Sequence, residues 1–228
     1  MDVYLVPAGP DRYVLYCEPA GDHAESGGNA GRGAWRRIHA SFLQVLAFVE
    51  REHDSAPDES APPQGLLSLL RSRALRWLAE RVAEQRVLWR LQGQTLVRAF
   101  HPDALDQAGA LSAIRQSLRA DLRRHVGWLV LDSVLLLLSL LLTPIPGPNM
   151  LGYYFAFRVV GHVLSIRGAR QGMGRVAWDL EGSPPLGELA GAARLAPVER
   201  ERVVRSVADR LRLPRFPKFC ERILNDAA

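Results

Sequence analysis

The stretch that most limits what this chain can fold into is "VGWLVLDSVLLLLSLLL", Val126 to Leu142, followed at once by "TPIPGPN". Nine leucines and three valines stand in it, with Asp132 as the sole charge. A helix made of such a run has no polar face, so it must be buried among other elements or sit in lipid. It reads as helix because leucine is a strong helix former and no breaker intervenes. Pro144, Pro146, Gly147, Pro148 and Asn149 then form a turn, since proline removes a backbone donor and bars the residue before it from helical geometry. The helical pattern resumes from Met150 to about Arg170, so the two segments fold back on each other as an apolar hairpin.

The first helix of that hairpin can enter a membrane by itself. Each leucine or valine contributes about −0.3 to −0.6 kcal/mol, against about +2.5 to +3.5 for a central aspartate. The second helix carries Arg158 and His162, which its aliphatic residues do not offset. Each helix supplies what the other lacks. Asp132 and Arg158 lie at matched distances from the turn, about 14–15 Å at about 1.5 Å per residue. His125, Asp132 and Ser139 make one polar stripe, while Tyr154, Arg158, His162 and Ser165 make the other. Gly161 and Ser165 are a small pair that allows two backbones to approach closely. Arginines flank the hairpin on both sides, Arg119, Arg123 and Arg124 before it and Arg167, Arg170 and Arg175 after it, and the turn is uncharged. A membrane-embedded hairpin over 126–166 with both termini on the cytoplasmic or matrix side is therefore expected. The same block would also serve as the central element of a soluble helical bundle.

Around the hairpin the chain is expected to be mainly α. Its opening, "DVYLVPAGPDRYVLYCE", has two β-branched and aromatic runs about Ala-Gly-Pro-Asp, which is a β-hairpin signal. A Gly-rich loop and a first amphipathic helix complete residues 1–53, and 54–65 is a Pro-rich acidic linker. Basic amphipathic helices are expected over 66–125, the first of them running from Leu66 to about Phe100. After the hairpin of 126–170, residues 171–228 hold short C-terminal amphipathic helices.

The formal charge of +5 comes almost wholly from arginine, because Lys218 is the only lysine. Such a balance favours anionic partners, and the Arg-rich face beside Leu70, Trp77 and Leu78 has the composition of a helix lying on anionic lipid. No aromatic-basic recognition motif supports nucleic acid. Cys17 and Cys220 stand alone at opposite ends, so they read as free thiols, and neither a metal nor a cofactor is implied. No cleaved targeting signal is apparent at "MDVYLVPAG". Gly-Lys, Gly-x-Ser-x-Gly, His-Glu-x-x-His and Gly-x-Gly-x-x-Gly do not occur, so an enzyme is not expected.

The opening "VYLVPAGPDRYVLYCE", the block "TPIPGPNMLGYYFAFRVVGHVLSIRGARQG" and the basic C-terminal helices together resemble the mitochondrial K+–H+ exchange-related family. That resemblance implies an inner-membrane protein linked to potassium/proton exchange, as exchanger subunit or accessory factor. The Arg-rich composition points to a bacterial relative in its inner membrane, and a eukaryotic one would sit in the mitochondrial inner membrane. K+ and H+ would be the ions, and a homo-oligomer or another membrane subunit is expected, because two spanning segments cannot enclose a polar path. The candidates for ion or proton handling, or for pairing the helices, are Asp132, Arg158, His162, His125 and Tyr154. A carboxylate at membrane depth can bind either cation or proton, and a histidine can relay protons near neutral pH. The alternative is a fixed Asp132–Arg158 pair that docks the helices in a non-transporting scaffold.

Overall fold

The computed structural model describes residues 1–9, 12–18, 87–141 and 150–225. The Gly-rich loop, the first amphipathic helix, the acidic linker, most of the basic helix from Leu66, and the turn of Pro144, Pro146, Gly147, Pro148 and Asn149 lie outside them.

The N-terminal hairpin forms where β-branched and aromatic residues alternate. β1 (Asp2–Pro7) and β2 (Tyr13–Tyr16) pair antiparallel, with Tyr4 opposite Tyr16 and Val6 opposite Val14. They do not stand alone. β3 (Leu96–His101) lies parallel to β1, and β4 (Ala177–Gly182) parallel to β3, giving a four-stranded mixed sheet in the order β2-β1-β3-β4. The helix expected to reach Phe100 therefore stops earlier. A helical turn over 87–91 ends at Gly93, whose φ of 80° only glycine adopts readily, and the chain leaves as β3.

β3 and β4 are joined by the helical hairpin. α1 (Gln107–Leu141) is capped by Asp106, whose Oδ1 accepts the Gly109 N–H at 2.8 Å. α2 (Met150–Gly174) returns antiparallel to it and leads into β4. Beyond the sheet come the short helix α3 (Pro184–Glu188), a 3-10 turn (Leu189–Arg194), α4 (Pro197–Leu211) and α5 (Phe216–Asn225). The protein is mainly helical with a small mixed sheet.

Alternation along β1 sends side chains into two cores. Tyr4 and Val6 pack with Leu186, Val207, Phe216 and Phe219 of the C-terminal helices. Val3 and Leu5 pack on the opposite face with Leu88, Leu91, Ala110, Ile114, Leu118 and Ala169. A strand buried on both faces explains why β1 is apolar at nearly every position. The second core uses α1 only as far as Leu118, with Leu122 half-buried against it. The apolar part of α1 extends past the sheet.

Among the described residues no helix is long and apolar enough to cross a membrane. Asp132, Ser133 and Ser139 interrupt the apolar run of α1, and α2 adds Arg158 and His162. The membrane embedding expected over 126–166 is therefore not supported by the described residues.

Candidate functional site

The polar groups within the apolar half of the hairpin face inward. His125, Asp132 and Ser139 recur at the heptad spacing that returns to one helix face, and all are buried toward α2, Asp132 to 1% exposure. From α2, His162 and Ser165 are buried, Arg158 is a quarter exposed at its side chain, and Tyr154 is open to solvent.

Asp132 Oδ2 is the centre of the cluster. It accepts from Arg158 Nε at 2.8 Å and contacts His162 Nε2 at 2.9 Å. His162 Nδ1 lies 2.9 Å from His125 Nδ1. Arg158 also donates to the Tyr154 hydroxyl at 3.1 Å, and its guanidinium sits over the Trp128 and Tyr154 rings. The carboxylate can only accept, so His162 donates through Nε2–H. With both rings neutral, His162 Nδ1 is then an acceptor and His125 donates to it through Nδ1–H.

Burial keeps the histidines neutral. It pulls His125 down to about 3, helped by repulsion from His162 once that ring is protonated and from the Arg124 charge. For His162, burial again lowers the value, and the Asp132 carboxylate opposes the shift without reversing it. Arg158 runs the other way. Burial works against its charge, but hydrogen bonds to Tyr154 and Asp132 and the carboxylate's field raise it above the ordinary value.

The small pair of α2 receives a residue from outside the hairpin. Trp89, in the turn over 87–91, donates its indole N–H to Ser165 Oγ at 2.9 Å and to the Gly161 carbonyl at 3.2 Å. The close backbone approach comes farther along, at Gly168, where an added Cβ would lie 1.7 Å from the Leu88 carbonyl oxygen. Gln92 Nε2 donates to the Leu164 carbonyl at 2.6 Å on the same side. Thus one side of α2 pairs charges with α1 and another clasps 87–91. Trp89 and Gly168 were not singled out from the sequence. The Gly-Ser-Gly spacing at 161, 165 and 168 was the available signal.

Elsewhere, both cysteines are buried thiols outside any disulfide, and burial pushes the Cys220 thiol up. His101 is buried at the end of β3 with Nδ1 3.0 Å from the Pro102 carbonyl. Among the described residues no group of three or more His, Cys, Asp or Glu side chains could hold a metal.

The fold and this cluster define a class: a mixed-sheet protein carrying a helical hairpin whose apolar half encloses an ion-paired polar network. The family model described as mitochondrial K+–H+ exchange-related matches residues 71–172. The resemblance read from the sequence holds over that segment, which contains Trp89, His125, Asp132, Tyr154, Arg158, His162 and Gly168. The N-terminal β-hairpin and the C-terminal helices lie outside the matched residues. No curated protein and no solved structure matches the chain.

Proposed function

We propose that the protein is a membrane-associated accessory factor of potassium/proton exchange, not itself the ion carrier and not an enzyme. The family's name supplies the link to exchange. The observation carrying the accessory role is the state of Asp132. A carboxylate that swaps K+ for H+ must be alternately free for each, whereas Asp132 is buried and already neutralised by the Arg158 guanidinium at 2.8 Å. Displacing that partner would break a charge-assisted hydrogen bond to a buried carboxylate, at a cost of about 1.5–3 kcal/mol. Asp132, Arg158, His162 and His125 then set the register of the hairpin, and Tyr154 steadies Arg158 from the open side.

In this reading the hairpin joins the protein to the bacterial inner membrane, or to the mitochondrial inner membrane in a eukaryote, with both termini on the cytoplasmic or matrix side. The ion-conducting subunit is a separate membrane protein. Potassium-driven proton movement in membrane vesicles from cells with and without the gene tests the proposal. Exchange should fall on deletion and return with the wild-type gene. Unchanged exchange after deletion would remove the link. Exchange by the purified protein alone in liposomes would make it the carrier and end the accessory reading.

A further inference from the structure

We propose that one exposed face of α1 binds anionic phospholipid, with Arg115, Arg119 and Arg123 on the headgroup phosphates and Val126, Val130, Val134 and Leu137 against the acyl chains. This rests on the membrane-associated reading above and gives it a surface and a ligand.

Steps of three and four residues keep all seven side chains on one side of the helix. In the first half of α1 the arginines are exposed and line an open groove of about 760 Å³ together with Leu111 and Leu122, with no acid among the described residues of its lining. In the second half the same face turns aliphatic, and none of the described elements covers it. Val126 is 41% exposed, Val130 62%, Val134 48% and Leu137 65%. An outward aliphatic row of this length is unusual unless something apolar covers it.

The order of the two halves identifies the occupant: arginines come first along the helix and the aliphatic row follows directly, as headgroup phosphate and acyl chain do in a phospholipid. The His125–His162 contact sets the axial level of α2 and brings exposed Arg167 and Arg170 to within about one helical turn of Arg119 along the axis. Positive charge is thus gathered on both helices at the end of the hairpin that precedes the aliphatic row. A second copy of this chain fits poorly. Parallel pairing through this face sets arginine against arginine, and antiparallel pairing sets arginine against valine and leucine.

Flotation of the purified full-length chain tests this, using phosphatidylcholine vesicles and vesicles in which about a third of the lipid is phosphatidylglycerol. Binding should be strong only to the anionic vesicles and should weaken with salt. R115Q/R119Q/R123Q should lose about a hundredfold in affinity, at about fivefold per arginine. V130S/L137S should weaken binding as well, and both substitutions lie on exposed positions that folding does not use. R194Q/R202Q/R205Q removes the same charge from exposed sites elsewhere and should bind like wild type. Equal flotation on both vesicle types overturns the headgroup assignment, as does equal loss in the two arginine variants. No flotation, with self-association that V130S/L137S abolishes, would hand the face to a second copy. Ion exchange in cells is read separately, so failure here is distinguishable from failure of the accessory role.

Discussion

His125 and His162 meet Nδ1 to Nδ1 at 2.9 Å across the hairpin, and His162 passes the contact on to Asp132 through Nε2. One arrangement of neutral rings satisfies both contacts. Imidazole 15N spectra of the full-length protein near neutral pH should show His125 protonated on Nδ1 and His162 on Nε2. Asp132→Asn can accept from the same Nε2–H and should leave the tautomers unchanged, whereas His162→Phe should free His125 from its fixed form. A His162 ring protonated on Nδ1 alone would contradict the geometry.

Acid should destabilise the fold through these rings. His125 in the folded state is lowered to about 3 from an ordinary 6.5, and His162 is lowered too. Below about pH 6.5 the unfolded chain binds protons that the folded chain refuses, so stability rises with pH and is lost as pH falls toward about 3. The slope is about 1.4 kcal/mol per pH unit for each such proton. Denaturation midpoints between pH 7 and 4 check it. His125→Phe should flatten the dependence, and a wild-type midpoint that rises on acidification would contradict it.

Two glycines should respond in opposite directions. Gly168→Ala drives a Cβ into the Leu88 carbonyl, so the turn over 87–91 must shift, at a cost of about 1–3 kcal/mol or more. Gly127→Ala, exposed in mid-helix with nothing within 4 Å, should instead stabilise by about 0.5–1 kcal/mol. Thermal or urea melts of the two variants decide, and similar shifts would mean that 87–91 does not clasp α2.

The hairpin was legible because its signals are local. A leucine-rich run without a helix breaker ends in prolines, and His125, Asp132 and Ser139 repeat at a spacing that only one helix face satisfies. Counting from the turn was enough to set Asp132 and Arg158 at one level, since antiparallel helices preserve distance from their connection. β3 was hidden because Arg98 continues the arginine spacing of the helix before it, although Gly93 marked the stop. β4 is too charged to announce itself, with Asp179 and Glu181 among its six residues. Trp89 was invisible as a partner of Ser165 because the contact joins residues 76 apart in sequence. The extent of the apolar block was plain, but its division into an inward polar stripe and an outward aliphatic row depends on where α2 packs.

The central claim, that the Asp132–Arg158 pair docks the hairpin and carries no ion, is tested most directly by removing one charge and then both. Asp132→Asn leaves the partly exposed Arg158 with no carboxylate inside the hairpin and should cost about 1.5–3 kcal/mol, seen as lowered abundance. Asp132→Asn with Arg158→Gln removes both charges of the pair and should restore most of that abundance. The measurement is potassium-driven proton movement in vesicles from cells carrying the double variant, normalised to protein present. The account predicts exchange near the wild-type level; a double variant that accumulates normally and supports no exchange would make Asp132 the ion-handling group and contradict it.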